Sequence, residues 1–393
     1  MISWILNTRN NRPIGLDIGH HNIRMIQMCV NDDNVRVFAA QSTQIPTDIK
    51  DVPQKKGQFL ISAIGEMLNK GRFSGREVVS CLSNAHLKIT SFRVSEKKDE
   101  EIEQALKREA QQRFGLDPQT DTIEHMVAGS VQQGDTMKRE LIMFAAEQKA
   151  INNHIQLLEE AGLRPVAIDV TPCALFRCYS RLLRRQEDKE ETIVFVDVGS
   201  RFTTVVFGRG KEISFIKQIP VGGEKFNREI ASKLGISVDE AQMLRHKLQV
   251  KKTKEKIEVR KEQNNTRDDN PIDPSSRQAI VDAIGSVAEE LAREISLCFI
   301  YYSVTFRGKR VGRVIFSGGE ARENILLSIL RRQLSVDIEV AQPLRGFDIV
   351  DNQLDYTDGN SLCEWAVVTG TGLKGIAPGF LGMENREKAY ERN

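Results

Sequence analysis

"PIGLDIGHHNIRMIQM", residues 13–28, is an apolar run that breaks after Asp17 and Ile18 at Gly19, shows His20, His21 and Asn22, and then resumes. Residues 191–213, "ETIVFVDVGSRFTTVVFGRGKEI", follow the same plan, with Asp197, Gly199, Ser200 and Thr203 at the break. Short apolar runs bounded by turn residues favour extended chain, so each stretch reads as strand, tight turn, strand. Taken singly, either is a hairpin with an acid near its tip. Two in one chain predict a repeated architecture with a shared purpose.

The bulk numbers bound the answer. A length of 393 residues suggests two or three domains with sizeable cores. With 40% hydrophobic and 28% charged residues the chain belongs with soluble globular proteins. Basic and acidic residues number 56 and 54, so no global field attracts nucleic acid, and no nucleic-acid partner is expected. Cys29, Cys81, Cys173, Cys178, Cys298 and Cys363 form no C-x-x-C pair and read as core thiols of a reducing compartment. No apolar stretch approaches the roughly 18–20 residues of a membrane span. The opening "MISWILNTRNNRP" lacks the features of a secretory signal. Trp4 with Ile2, Ile5 and Leu6 reads either as a short interfacial foot or as a terminus tucked against its own domain.

Along the chain, residues 13–84 read as a three-stranded meander, a helix closing at Gly71 and a further strand. Residues 85–163 change to strand, helix, strand, strand, helix, an inserted α+β module of roughly 80 residues, with Ser95 as candidate N-cap of its first helix. Residues 164–190 return to the first domain, and a last helical stretch over 360–376 is assigned to it as well. Residues 191–220 and 311–345 form a second domain, and 221–310 a helical lobe on it. The charged tract 251–276, almost free of large apolar residues, reads as a mobile excursion.

Tight turns aim backbone N–H groups into a cleft, where they hold phosphate oxygens, and glycine allows close approach. Two opposed Asp-x-Gly hairpins therefore suit a polyphosphate, with Asp17 and Asp197 placed to hold Mg²⁺ directly or through water. Gly222-Gly223 and Gly318-Gly319 each precede a helical pattern. Such a glycine pair lets backbone lie flat against a base or ribose, or simply turns the chain into the helix.

At this point the sequence resembles the actin-like ATPase superfamily. "LDIGHHNIR" is similar to its first phosphate loop, "VDVGSRFTT" to its second, "GGEKFNREI" to a double-glycine helix start and "IFSGGEARE" to its adenosine motif, in the family's order. The inserted module, with "AGLRPVAIDVTPCAL" after it, resembles the type IV pilus assembly protein PilM branch, related to the cell-division protein FtsA. The resemblance covers about residues 13–376, the charged tract excepted.

That resemblance implies an α/β fold: two related mixed-sheet domains, an inserted α+β subdomain and a nucleotide cleft between the halves. It implies ATP and Mg²⁺ as cofactors, with contacts from Asp17, Gly19, His20, His21, Asn22, Arg24, Asp197, Gly199, Ser200 and Thr203. Gly222, Gly223, Glu224, Gln242, Arg245, Gly318, Gly319 and Glu320 would complete the nucleotide site. His20 and His21 stand where the family has Ser or Thr, which implies altered phosphate contact. Asp169 falls where relatives carry an acid near the attacking water, and reads equally as a helix cap, so turnover is expected to be slow at most.

The function implied is a cytoplasmic ATP-binding scaffold of a type IV pilus, competence or secretion machine. It would bind the N-terminal cytoplasmic tail of a PilN-like inner-membrane protein in a groove of the insert and first domain. Membrane contact would be indirect, through that partner, and homo-oligomers stay open. Two alternatives share the fold. A small-molecule kinase would transfer phosphate to a hydroxyl substrate, and a cytoskeletal protein would sediment with nucleotide.

Overall fold

Strands with apolar residues on both faces organise residues 14–44. The computed structural model describes residues 13–31, 34–95, 99–133, 135–183, 191–258, 272–306, 310–349 and 362–374. The suggested interfacial foot at Ile2–Leu6 lies outside them. Strands β1 (Ile14–Ile18), β2 (Asn22–Asn31) and β3 (Asn34–Gln44) form an antiparallel meander. β4 (Glu77–Leu82) and β8 (Arg164–Val170) continue it in parallel beyond β1, and β14 (Asp348–Ile349) pairs with β3. The resulting order is β14-β3-β2-β1-β4-β8.

The second half repeats the plan. β9 (Thr192–Val198), β10 (Thr203–Arg209) and β11 (Glu212–Ile219) make a meander. β12 (Val311–Ser317) and β13 (Asp337–Val340) then run parallel beyond β9, in the order β11-β10-β9-β12-β13. Each sheet thus places its hairpin at the same relative position, with a parallel neighbour beside the acid-bearing strand. The sequence expectation of two related mixed sheets holds.

Alternation along β2 gives the first sheet two apolar faces. Leu16, Ile23 and Met25 meet Leu60, Ile64 and Met67 of α1 (Pro53–Lys70) on one side. Ile26, Met28 and Val37 meet Trp365, Val368 and Leu373 on the other. The last two belong to α9 (Ala366–Lys374), which also lies against α4 (Thr171–Ser180). Glycines allow that approach: a Cβ on Gly15 would stand 2.5 Å from the Gly372 nitrogen, and one on Gly370 would run into the Ala174 carbonyl. Gly370→Val is therefore expected to cost about 3 kcal/mol, since backbone cannot yield as a side chain does. Gly57→Ala, in α1 with nothing within 4 Å of the new methyl, is expected to add about 0.5–1 kcal/mol. Urea unfolding of both variants checks the pair.

The insert is a separate antiparallel sheet of order β5-β7-β6. It comprises β5 (Lys88–Ser95), α2 (Asp99–Phe114), β6 (Thr122–Gln133), β7 (Thr136–Ala146) and α3 (Gln148–Glu160). Ile102, Leu106 and Ala110 of α2 cover Phe92, Leu141 and Met143. Ser95, the expected cap, ends β5; the described part of α2 starts at Asp99, and residues 96–98 between them lie outside the described residues. The insert is tied back to the first sheet through α3, where Leu158 joins the α1 core and His154 Nε2 sits 3.0 Å from Ser80 Oγ.

α7 (Pro274–Thr305) lies against β11 of the second sheet, α5 (Gly223–Leu234) packs on α7 and α6 (Val238–Glu258) on α5, with α8 (Asn324–Leu334) crossing from β12 to β13. The expected mobile excursion over 251–276 needs correction at both ends. Residues 251–258 continue α6 as helix, and 274–276 are the first turn of α7, where Asp273 accepts from the Ser276 N–H at 2.9 Å. The lack of apolar residues did not mean lack of secondary structure. Residues 259–271 lie outside the described part. Among the described residues no helix is long and apolar enough to cross a membrane.

Candidate nucleotide cleft

The two hairpin tips have matching turns. Gly19 N–H donates to the Asn22 carbonyl at 2.9 Å, and Gly199 N–H to the Phe202 carbonyl at 3.0 Å. Among the described residues, the N–H groups of His20, His21, Ser200 and Arg201 donate to no backbone carbonyl. They are the donors such a turn leaves for an anion.

Just before each tip sits the aspartate. Asp17 is opposite Arg24 across the β1–β2 ladder, and burial pushes its carboxyl up while the Arg24 charge opposes that. Asp197 is flanked by Thr204 and by Ser317, whose hydroxyl donates to Oδ1 at 3.0 Å. Burial drives Asp197 up to about 6, against the Ser317 hydrogen bond and with help from the Asp17 charge. Two buried carboxyls, both raised by desolvation and one of them also by the charge of the other, are a natural place for a hard divalent cation.

Other expected contacts turn out to be engaged by protein. Gly223 N–H donates to the Gly199 carbonyl at 3.0 Å and Glu224 N–H to the Ser200 carbonyl at 2.8 Å. A Cβ on Gly222 would sit 2.5 Å from both those carbonyl oxygens, and one on Gly223 would collide with the Glu320 carboxylate. This glycine pair therefore serves close docking of α5 on the second hairpin, whereas the sequence had suggested backbone laid against a base. Thr203, buried in β10, likewise spends its hydroxyl on the Val221 carbonyl at 2.7 Å.

The adenosine-side residues come together. Arg245 of α6, 4% exposed, pairs with Glu320, reaches Glu323 Oε2 at 3.4 Å, and lies 4.6 Å over the Phe226 ring. Gln242, one turn earlier, has a buried Oε1 with no hydrogen-bond partner. Gly318 has a φ of 90°, and a Cβ there would strike the Val198 carbonyl. Its left-handed backbone is one that glycine adopts freely. Gly319 faces open space and starts a 3-10 turn over Gly319–Arg322, so a tight turn separates the glycine pair from α8.

His20 and His21, at the first hairpin tip, are both partly buried. His20 Nε2 stands 2.6 Å from Glu224 Oε1, unaligned for a hydrogen bond, and its side chain is 10% exposed. Burial, then the nearby Arg201 charge, lowers His20 to about 4, and burial with Lys50 lowers His21 also. Both rings are neutral at pH 7. Burial pushes Glu224 up, but its Arg201 hydrogen bond and the surrounding cationic groups leave it below the ordinary range.

Asp169 is held in a different setting from the one expected of a general base. Its carboxylate accepts from Arg177 Nη1 at 2.8 Å and from the Val170 N–H at 2.9 Å, with Lys374 Nζ at 3.4 Å. The Val170 contact is to the next residue, not across the first turn of α4, so it is no helix cap. Burial raises the carboxyl, but Arg177 and Lys374 bring it below its usual value. A carboxylate held this firmly in its ionised form is a weak proton acceptor.

Sequence reasoning passed over Arg201, Asp51 and Ser317. Arg201 at the second tip bonds Glu224 Oε1 at 3.1 Å and Asp51, which precedes α1 in the first domain. A cation at the crest of a turn that follows Gly199-Ser200 was the available signal.

The paired sheets, with their acids and glycine turns at the strand ends, define an actin-like ATPase fold, a class that generally binds ATP with Mg²⁺. Within it, the chain belongs to the type IV pilus assembly protein PilM family, whose model matches residues 15–258. A model for cell division protein FtsA matches residues 194–361. A solved PilM-PilN type IV pilus biogenesis complex contains a similar chain, 21% identical, at a TM-score of 0.72 over 94% of this chain and 100% of that one. Ethanolamine utilization protein EutJ from Carboxydothermus hydrogenoformans is similar in fold, 12% identical, at a TM-score of 0.50 over 93% and 90%.

Proposed function

We propose that the protein is the cytoplasmic, ATP-binding scaffold of a type IV pilus inner-membrane assembly complex, recruited by the N-terminal tail of a PilN-like membrane protein. The observation that carries this reading is the family match, which runs through both hairpins and the whole insert. Unpartnered buried atoms suit a polar ligand: Ser200 Oγ and Gln242 Oε1 both lack hydrogen bonds. In this reading the N–H groups at both tips and Arg24 hold the phosphates, and Asp17 and Asp197 hold Mg²⁺. Gln242 and the Arg245–Glu320 pair border the adenosine. When bound, Mg²⁺ would neutralise phosphate charge.

The tail is assigned to a groove between the insert and the first sheet, where α3 links the two. A labelled peptide of the tail, titrated with the full chain, is expected to bind saturably. Hydrogen exchange should then slow within residues 85–163. No binding, or protection confined to the second sheet, rejects the scaffold reading.

Nucleotide affinity should depend on pH with a definite sign. Mg²⁺ requires the ionised Asp197, whose pKa in the folded protein is about 6. Affinity for MgATP should be flat above that pH and fall by up to about tenfold per unit below it. Calorimetry at pH 6 in two buffers of different ionisation enthalpy should report proton release on binding.

A further inference from the structure

We propose that His20, His21 and Glu224 form a binding site for a divalent ion of the Zn²⁺ class, which latches the two halves of the protein across the cleft. One ligand atom from each lies within 4.8 Å of the others. Tetrahedral zinc at about 2.0–2.1 Å from nitrogen and oxygen ligands spaces them by roughly 3.4 Å, so small side-chain rotations complete the set. Two imidazoles and a carboxylate are a common zinc set that leaves a fourth position open.

Three observations point to an ion and not to a chance cluster. His20 Nε2 and His21 Nδ1 are both buried and lack a hydrogen bond, an expensive arrangement unless something else engages them. The His20 side chain is only 10% exposed and is already directed at Glu224 Oε1, 2.6 Å away. Glu224 is itself held from both sides, by Arg201 at Oε1 and by Arg228 at Oε2, 3.1 and 2.7 Å away, which fixes its carboxylate plane. Arg201 leaves a second lone pair on Oε1, and Asp51, 4.0 Å from His20 Nε2, offsets some of the cationic charge of Arg201 and the neighbouring Lys56.

The ligands come from both halves: the histidines from the β1–β2 tip, the glutamate from the start of α5. An ion there joins two bodies otherwise linked at this point by Arg201 and its two acids. Mg²⁺ would not substitute, because it favours oxygen ligands and near-octahedral geometry, whereas imidazole suits Zn²⁺. This inference stands on the ligand geometry and does not depend on nucleotide binding.

The test uses the chelator-treated full chain, titrated with Zn²⁺ against a chromophoric competitor and with Co²⁺ by absorption. One equivalent of Zn²⁺ is expected to bind, and Co²⁺ should give intense tetrahedral d–d bands without a sulfur charge-transfer band. His20→Ser/His21→Ser and Glu224→Gln should each weaken Zn²⁺ binding at least about tenfold, as loss of a ligand must exceed the effect of losing an outer-sphere partner. Unchanged affinity in the folded double variant overturns the assignment. So does a pale octahedral Co²⁺ spectrum, a thiolate band from one of the six free cysteines, or no uptake at all. The wild-type spectrum decides the matter if the variants fail to fold.

Discussion

Asp197→Asn is expected to lose MgATP binding by about 100-fold or more, near 3 kcal/mol, while the nucleotide-free protein becomes more stable. The opposite signs follow from one cause. Burial lifts the Asp197 carboxyl to about 6 in the folded chain, above its ordinary 3.8. Well below pH 3.8 the folded and unfolded chains both hold that proton and the site costs nothing. As pH rises towards 6 the unfolded chain gives its proton up first, so folding stability falls by up to about 3 kcal/mol and then levels off. Asparagine keeps the shape and can still meet the Ser317 hydroxyl 3.0 Å from Oδ1, but removes the charge that carried this cost. Thermal melts of wild type and variant at pH 7 and pH 4, beside calorimetry with MgATP, read both halves. The stability gain should be much smaller at pH 4 than at pH 7. A variant that is destabilised at pH 7 and still binds MgATP would reject Asp197 as a cation ligand.

Asp169→Ala is the second large effect, and its readout is stability. The change would leave Arg177, with a side chain 17% exposed, facing a site whose counter-charge has gone. Breaking one partner of a buried ion pair typically costs about 3–5 kcal/mol. Arg177 also donates to the Gly370 carbonyl at 2.8 Å, so the loss should loosen α9 from α4. Arg177→Met in the Asp169→Ala background should recover part of the loss, since the stranded charge is removed too. A general base would behave otherwise: Asp169→Asn would keep its stability and lose ATP turnover. Urea unfolding of the single and double variants, with a phosphate-release assay alongside, separates the two roles.

The hairpins, both sheets and the insert were legible because buried strands leave a local mark. Apolar period, β-branched residues and glycine turns lie within a few residues of each other at Leu16 to Ile23 and again at Val196 to Thr204. What a glycine or an acid faces leaves no such mark. Gly222 and Gly223 signal close approach from sequence alone, yet whether a ligand or the Gly199 carbonyl approaches depends on chain folded from elsewhere. The partners of Asp169 sit on two helices, one of them at the far end of the described chain. Charge pattern failed in the opposite direction at residues 251–258, which continue a helix despite having almost no apolar residue to bury.

The packing of α9 and β14 against the first sheet sets the order in which a nascent chain can mature. That sheet takes its N-terminal strands from residues 14–44, yet the apolar face of Ile26 and Met28 is covered by Trp365, Val368 and Leu373. Translation at about 5–20 residues per second needs roughly 10–40 s to run from β8 to α9. Through that interval the first half exposes a hydrophobic sheet face and an unpaired β3 edge, while the second sheet, built almost wholly from consecutive elements, can close on its own. A ribosome-bound chain truncated before residue 362 should therefore engage chaperones through its oldest residues, not its newest.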